Sequence, residues 1–321
     1  MASSIIATSV ELGVDDIALR AILRELDEAG YDFTTVTPAT HARVLANREG
    51  AKAETLRDVF GWSMAFGREL LEAPLWAALE NAGALVQKND YWVSRLRVSS
   101  LGGSLFLHTA YPTSADDAVF FGPDTYRFAR FIEATLADGG TVRHLVDLGA
   151  GAAPGAVVAA GQVDAEQVTL IDINPAALRL ARINAAAAGV AVHAVEGGKL
   201  DLIEGAVDLI VANPPFIMDA KGRDYRDGGA LLGAGLSLEW ARAAADRLED
   251  GGRLLLYTGS PIVDGEDALL AGLSEVADDA GCLLRYNEID PDIFGEELEE
   301  PAYRDARVER IAAVGAVLTK G

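Results

Sequence analysis

The chain has 321 residues, a length typical of two domains or of one large domain with an extension. Half of the residues are hydrophobic and 24% are charged, which provides enough apolar side chains for a core and excludes wholesale disorder. The 49 acidic and 27 basic residues give a formal net charge of −22. This charge argues against a generally basic surface for nucleic acid but leaves a local basic patch open.

Cysteine and histidine usage limits the metal and redox chemistry of the chain. Cys282 is the only cysteine, so a disulfide within the chain and a cysteine-built zinc site are excluded. The four histidines are scattered without an H-x-x-x-H pair, and we expect no metal site. No secretory signal is recognisable, and no apolar run approaches the ~20 residues needed to cross a bilayer. These features predict a cytoplasmic protein without a membrane partner.

Residues 14–88 have the pattern of helices. Apolar side chains recur at helical spacing, as at Ile17, Ile22 and Leu26, and glycines and prolines interrupt the pattern. We expect a mainly helical N-terminal region.

A change of period follows this region. Residues 91–98 alternate in polarity, and Gly102-Gly103 leads to an apolar stretch over 104–108, which predicts a β-hairpin. The polar stretch 112–117 is the best linker candidate. We therefore predict an N-terminal domain for substrate recognition over 1–115 and a catalytic domain over 116–321.

Short apolar strands alternate with alanine-rich helices in the second domain. The predicted strands are 142–148, 168–173, 190–195, 207–212, 253–258, 282–289 and 308–319. The predicted helices include 175–188, 236–248 and 266–280. This alternation predicts an α/β fold, with a parallel sheet covered by helices on both faces.

A glycine-rich segment, Asp147-Leu148-Gly149-Ala150-Gly151, ends the first of these strands. Glycines at such a turn let the backbone approach a ligand closely. The dinucleotide fingerprint G-x-G-x-x-G would require a glycine where Pro154 stands, which argues against a nicotinamide oxidoreductase. The pattern suits a nucleoside-like ligand without phosphate, although an ordinary glycine-rich turn has the same composition.

An acid follows at the end of the second strand, in Asp172-Ile173-Asn174-Pro175. A carboxylate there can accept both hydroxyls of a ribose. An Asp or Asn before a proline is also typical of a helix N-cap. We predict that Asn174 is the cap and Asp172 the ligand residue.

The third motif, Asn213-Pro214-Pro215-Phe216, follows the fourth strand. A planar –NH2 group has two N–H donors, which the Asn213 side-chain oxygen and the Pro214 carbonyl can accept. Phe216 can stack on the face of the same group. When both N–H groups donate hydrogen bonds in this way, the nitrogen lone pair is taken out of conjugation and is directed at an electrophile. The alternative is a simple strand-ending Pro-Pro turn.

Together the three motifs resemble the class I S-adenosylmethionine-dependent methyltransferases of the N-P-P-[FY] type, over residues 118–321. The resemblance implies a seven-stranded Rossmann-like sheet with strand order 3-2-1-4-5-7-6, an antiparallel last strand and S-adenosylmethionine as cofactor. The implied cofactor residues are Asp147, Gly149, Gly151, Asp172 and Asn213, and the implied catalytic residues are Asn213, Pro214 and Phe216. Pro215, Tyr225 and Arg226 are substrate candidates.

The acceptor is left open between several relatives. Phe121-Gly122-Pro123-Asp124-Thr125 and the order of helices, hairpin and core resemble the release-factor glutamine methyltransferases. Ribosomal RNA guanine and N6-adenine DNA enzymes also carry the box. Relatives often have an acid after the third strand for the cofactor adenine, where this chain has Gly198. Phe216, in place of the Tyr of the glutamine enzymes, favours a nucleobase, whereas the net charge favours a protein or a small molecule.

Residues 290–301 form an acidic stretch between the sixth and seventh strands, on the expected ligand side of the sheet. It is either a solvated loop or a rim that recruits a basic partner, such as a ribosomal component. Candidate basic contacts for a nucleic acid are Arg95, Arg97, Lys221, Arg223 and Arg226. We predict an N-methyltransferase acting on a macromolecular –NH2 group, either a protein glutamine amide or an RNA base. The alternatives are a DNA adenine or small-molecule methyltransferase and a catalytically silent binding module.

Overall fold

The computed structural model describes residues 14–113, 115, 117–218 and 228–321. The N-terminal region contains the helices α1 (Val14–Glu28), α2 (Pro38–Ala46), α3 (Leu56–Phe60) and α4 (Ala73–Asn81). Two of these helices begin where the sequence provides a cap. Thr37 accepts a hydrogen bond from the Thr40 N–H ahead of α2, and Thr55 and Asp58 form a reciprocal capping box at α3.

Two hairpins follow the helices, where the sequence predicted one. They consist of β1 (Leu85–Lys88) with β2 (Tyr91–Ser94), and β3 (Leu96–Leu101) with β4 (Ser104–Thr109). The helical prediction is therefore wrong for β1.

The predicted strand 91–98 is broken at Arg95. The Ser94 hydroxyl bonds to both the N–H and the carbonyl of Leu96, which bends the chain there. The Arg95 N–H turns to the Ala84 carbonyl instead of continuing a ladder. A hydroxyl that competes for backbone groups explains why simple alternation misled the prediction.

The remaining elements build one large sheet with flanking helices. In chain order they are α5 (Pro123–Thr135), β5 (Thr141–Leu148), α6 (Pro154–Ala160), β6 (Asp164–Asp172), α7 (Pro175–Ala187), β7 (His193–Glu196), β8 (Val207–Ala212), α8 (Gly235–Arg247), β9 (Leu248–Val263), β10 (Glu266–Asp267), α9 (Ala268–Ala280), β11 (Cys282–Asp290), α10 (Pro301–Asp305) and β12 (Val308–Lys320). The strand order is β7-β6-β5-β8-β9-β12-β11, with the short β10 added beside β9. Because β12 is antiparallel to both of its neighbours, the expected order 3-2-1-4-5-7-6 with an antiparallel last strand is confirmed.

Helices cover both faces of this sheet, as predicted. Successive residues of β5 point to opposite sides, so Leu145 packs in the cluster that includes α5 and α6, and Val146 in the cluster that includes α8 and α9. The strand β9 is longer than predicted because β12 pairs with it over most of its length. None of the helices in the described part of the chain is both long and apolar enough to span a membrane.

The N-terminal region packs directly on the sheet domain. A third apolar cluster joins its buried side chains, such as Ile22 and Phe106, to Ala152, Leu180 and Ile183 around α6 and α7. The side chains of this cluster come from both sides of the predicted boundary at 115/116. The division into two domains therefore remains a proposal.

Asn184 of α7 is the polar link between the two regions. Its side chain is fully buried, accepts from the Leu107 N–H (2.9 Å) and donates to the carbonyls of Leu107 and Ala152 (3.0 Å each). It therefore joins β4 to the loop that follows β5.

We expect Asn184→Ala to lower the free energy of unfolding by at least about 2 kcal/mol, because it leaves three buried backbone groups without a partner. Urea unfolding measures this loss. Asn81→Ala, at an exposed helix end, is the matched control and should be nearly neutral. Equal stability of the two variants would contradict the role of Asn184.

Candidate active site

The register of the sheet brings the three sequence motifs into one row. Leu148 pairs with both Ile171 and Ala212, and Ala212 pairs with Leu256 on the next strand. The next residues along the chain are Asp172, which ends β6, Gly149 and Asn213, which directly follow β5 and β8, and Tyr257 within β9. Because neighbouring strands lie about 4.8 Å apart, the row spans about 15 Å. We call these four residues the edge row.

The glycine loop turns sharply at the first of the predicted glycines. The N–H groups of Gly149 and Ala150 both donate to the Ile171 carbonyl, and φ is 72° at Gly149 and 53° at Gly151. These left-handed values suit glycine. A Cβ on Gly149 would lie 2.6 Å from Trp240, whereas one on Gly151 would meet nothing within 4 Å. Gly149 thus permits close packing, and Gly151 presents bare backbone to open space.

Asp147 lies beneath this loop and is 2% exposed. Its carboxylate accepts from the Ala156 N–H (2.7 Å), and a Cβ on Gly155 would lie only 2.9 Å from it. Burial raises the pKa of Asp147 to about 7, and the nearby charge of Asp172 also raises it. The carboxylate thus joins the end of β5 to the start of α6. Its contact with the cofactor remains a prediction.

Asp172 is held rigidly at the end of β6. One carboxylate oxygen accepts from the Gly151 N–H and the other from the Asn174 N–H, both at 2.8 Å. Burial raises the pKa of Asp172, and these hydrogen bonds oppose the rise. Each oxygen keeps a second lone pair for a ligand hydroxyl. Asn174 accepts from the N–H groups of Ala176 and Ala177, so its predicted role as the cap of α7 is confirmed.

Two exposed apolar side chains beside Asp172 were not predicted. Ile173 is 50% exposed and Leu202 is 49% exposed. A Cβ on Gly198 would lie 2.9 Å from Ile173, and one on Gly197 would lie 2.1 Å from Leu202. The two glycines therefore leave room for these two apolar side chains next to the acid. An apolar residue directly after a strand-end acid was the signal in the sequence that could have identified Ile173.

The Asn-Pro-Pro-Phe box lies at the end of β8. Asn213 and Pro215 are half-buried and Pro214 is buried. Phe216 is 7% exposed, with its ring centroid 6.4 Å from that of Tyr257 and 5.7 Å from that of Phe294.

The ring of Phe216 fills the space that Gly259 leaves, because a Cβ on Gly259 would lie 2.4 Å from it. In this conformation the ring supports the box from the core side, and its stacking on an acceptor remains a prediction.

A polar network contacts the edge row through Tyr257. The Tyr257 hydroxyl donates to Asp124 (2.6 Å), and Arg127 lies 3.3 Å from Asp124 and 2.8 Å from Asp290. Burial raises the pKa of Asp124, whereas the hydrogen bond from Tyr257 and the charge of Arg127 lower it. The network joins the Pro-Asp-Thr segment to the box through the Tyr257 ring. Tyr257 stands within a continuous apolar strand, so no sequence signal marked it.

The basic residues and substrate candidates predicted from the sequence lie in different environments. The prediction of Arg97 as a surface contact for nucleic acid is wrong, because the residue is 4% exposed and its guanidinium donates to the Gly61 carbonyl. Arg95 is exposed. The substrate candidates Tyr225 and Arg226, together with Lys221 and Arg223, lie outside the described residues.

The acidic stretch lies beside the box, as the topology predicted. The strand β11 is antiparallel to β12 and therefore runs in the same direction as β9, so its end is at the same edge as Asn213. Phe294 of the stretch packs against Phe216. The hydroxyl of the buried Tyr303, which follows the stretch, accepts from the Met218 N–H just past the box (2.8 Å).

Comparisons with known proteins identify the family of the chain. A family model described as Methyltransferase small domain matches residues 127–263. A release factor glutamine methyltransferase of Cereibacter sphaeroides is 31% identical over 242 residues, which cover 69% of this chain and 73% of that protein.

Two further relatives match over shorter segments. A ribosomal protein L11 methyltransferase of Pelotomaculum thermopropionicum is 36% identical, over 43% of this chain and 47% of that protein. A 4-amino-L-phenylalanine/4-methylamino-L-phenylalanine methyltransferase of Streptomyces pristinaespiralis is 35% identical, over 40% of this chain and 48% of that protein. The chain thus spans about half the length of these two relatives.

The chain belongs to the class I S-adenosylmethionine-dependent methyltransferases of the methyltransferase small domain type. S-Adenosylmethionine is the methyl donor of this class, and the open backbone at Gly151 and the fixed acid Asp172 fit such a ligand. Across the described residues, no group of three or more His, Cys, Asp or Glu side chains comes together as a metal site.

Proposed function

We propose that the chain is an N-methyltransferase for a planar –NH2 group of a macromolecule, with a protein glutamine amide favoured over an RNA base. The observation that carries the proposal is the position of Asn213 in the edge row, one strand from Gly149 and two from Asp172. This position supports the proposal of an amide clamp within reach of the residues proposed to hold the methyl donor.

The cofactor is held along the edge row. Asp172 accepts the ribose hydroxyls, Gly149 and Gly151 border the methionine part, and Ile173 and Leu202 enclose the adenine. Bound S-adenosylmethionine supplies an electrophilic methyl group. The carboxylate of Asp172 adds negative charge near a cationic ligand, which favours its binding.

The acceptor is held by the box. The Asn213 side-chain oxygen accepts one N–H of the –NH2 group and the Pro214 carbonyl accepts the other. Two prolines restrict the backbone on the far side of Asn213, and the buried Phe216 supports them. These residues therefore act by positioning and by aligning the nitrogen lone pair, without a strong base.

The charge around the site favours a protein acceptor. Glu296, Glu297, Glu299 and Glu300 follow Phe294, which contacts the box, and the chain carries a net charge of −22. Of the five basic residues considered for a nucleic acid, Arg97 is buried. Among the relatives, the release factor and ribosomal protein enzymes are named for protein acceptors. An acidic rim attracts a basic protein surface and repels bare nucleic acid.

Transfer of a labelled methyl group into cell extract, followed by separate protease and nuclease digestion, tests the proposal. We expect protease to release the label as methylated glutamine, and Asn213→Ala to abolish the labelling. Label released by nuclease would move the acceptor to a nucleobase. Label in the small-molecule fraction alone would contradict a macromolecular acceptor.

Changing Glu296, Glu297, Glu299 and Glu300 together to Gln should lower kcat/KM for a basic protein acceptor by about three- to tenfold at low salt, because it slows association. High salt should remove the difference. The matched control changes four exposed glutamates of the N-terminal region, Glu28, Glu49, Glu72 and Glu80, to Gln with the same change in net charge. Equal effects of the two sets would show that only net charge matters. Activity on naked RNA that depends steeply on salt and is unchanged by the substitutions at 296, 297, 299 and 300 would contradict the proposed role of the acidic stretch.

A further inference from the structure

A turn over residues 228–234 lies directly against the Asn-Pro-Pro-Phe box. The Gly228 N–H donates to the Ile217 carbonyl (2.8 Å), and a Cβ on Gly233 would lie only 2.5 Å from the Phe216 carbonyl oxygen. The chain between the end of β8 and the start of α8 lies at the carboxyl edge of the sheet, so this turn is on the ligand side. We call residues 228–234 the box turn.

Four residues of the box turn have a left-handed backbone. Two of them are glycines, with φ of 73° at Gly229 and 99° at Gly233. The other two are leucines, with φ of 54° at Leu231 and 57° at Leu232. A Cβ disfavours this region, so glycine or asparagine is expected there unless something else selects the side chain. Strain of this kind is concentrated at functional sites.

Packing offsets the strain at Leu232 but not at Leu231. The half-buried side chain of Leu232 joins the apolar cluster of Phe216 and Tyr257. Its carbonyl accepts from the hydroxyl of the fully buried Tyr303 (3.2 Å). Leu231 gains much less from packing, because it remains 51% exposed. The stability of the free protein therefore does not account for a leucine at 231, whereas a contact with a bound molecule would.

We propose that Leu231 contacts the acceptor and packs on the aliphatic part of a glutamine side chain. The inference rests on the proposed function, since it takes the box as the site of the acceptor –NH2 group. Gly233 lies against the Phe216 carbonyl, and two residues span at most about 7 Å, so Leu231 is within reach of an acceptor in the box. Glutamine carries two methylenes next to its amide, and burying each one contributes about fourfold to affinity.

Two substitutions separate the apolar contact from the shape of the turn. Leu231→Asn keeps a side chain of similar size that tolerates a left-handed φ, and Leu231→Met keeps the apolar character. We expect Leu231→Asn to raise the KM for the protein acceptor about tenfold. Its unfolding midpoint should equal or exceed that of the wild type, because the strain is relieved. Leu231→Met should keep the wild-type KM within about twofold. A purely structural role predicts the reverse order, since Asn suits this backbone better than Met.

The probe is nuclease-treated cell extract with labelled S-adenosylmethionine, and initial rates of protein labelling are measured over a range of extract concentrations. The rate at saturation and the calorimetric affinity for S-adenosylmethionine should be unchanged in Leu231→Asn. Leu283→Asn is the matched control and should have the wild-type KM. Leu283 is 74% exposed at the start of β11, at the edge of the sheet opposite to the box.

The outcomes distinguish this inference from the proposed function. Labelled protein with an equal KM for the wild type and Leu231→Asn would overturn the contact at Leu231 alone. A wild type that labels no protein would overturn the proposed function and this inference together. A lowered unfolding midpoint in Leu231→Asn, with a reduced rate at saturation, would show a structural role and would also overturn the contact.

Discussion

Replacing Asn213 with Ala is expected to lower turnover at least about 100-fold, a loss of about 2.7 kcal/mol in transition-state stabilisation. The reason is that one N–H of the acceptor –NH2 group loses the side-chain oxygen that accepts its hydrogen bond, so the nitrogen lone pair is no longer aligned. Binding of S-adenosylmethionine should change little, because Gly149, Gly151 and Asp172 keep their hydrogen bonds. Steady-state kinetics and calorimetric titration with the cofactor measure the two effects separately.

Asn287→Ala is the matched control for this substitution. Asn287 lies on β11 at an exposed position away from the box, so its variant should keep full turnover. If Asn213→Ala retains turnover within a few-fold of the wild type, the amide clamp is wrong. An oxygen or small-molecule acceptor would then be the better hypothesis.

Asp172→Ala should weaken S-adenosylmethionine binding by about 1.5–3 kcal/mol, since the two ribose hydroxyl donors lose a charged acceptor. The structure adds a second reason. The carboxylate also orients the Gly151 and Asn174 N–H groups, so its removal loosens the loop on one side of the ligand and the cap on the other. Calorimetric titration measures the loss of affinity.

The fold of the Asp172→Ala variant should persist, because Asn174 still caps α7. Asp201→Ala, at an exposed position near Leu202, is the control that should bind the cofactor normally. An Asp172→Ala protein with unchanged affinity and an unchanged unfolding midpoint would remove this acid from the ribose site.

The sequence predicted the sheet domain almost completely. Period and apolar content are local properties, and the buried parallel strands β5 and β8 are mostly apolar segments followed by Gly149 and by Asn213-Pro214. The same local signals located the loop at Gly149, the acid Asp172 and the box at Asn213. They failed at β1, which pairs with the adjacent strand β2, and at Arg95, where the Ser94 hydroxyl bonds to the backbone of Leu96.

The roles of single side chains depended on packing that no local pattern encodes. Phe216 carries a ring suited to stacking, and only the tertiary structure places that ring against Phe294 in the core. Arg97 looks like a surface cation in an alternating strand, yet it is buried and its side chain bonds to the Gly61 carbonyl and the Thr35 hydroxyl.

The sequence by itself therefore determined the class of fold, the strand order implied by its motifs and the residues that end each strand. The tertiary structure alone decided which of those residues meet, because the register between strands sets their distances. It also decided which charged groups are solvated and which are buried. Burial depends on residues far apart in the chain, as the contact of Tyr257 with Asp124 shows.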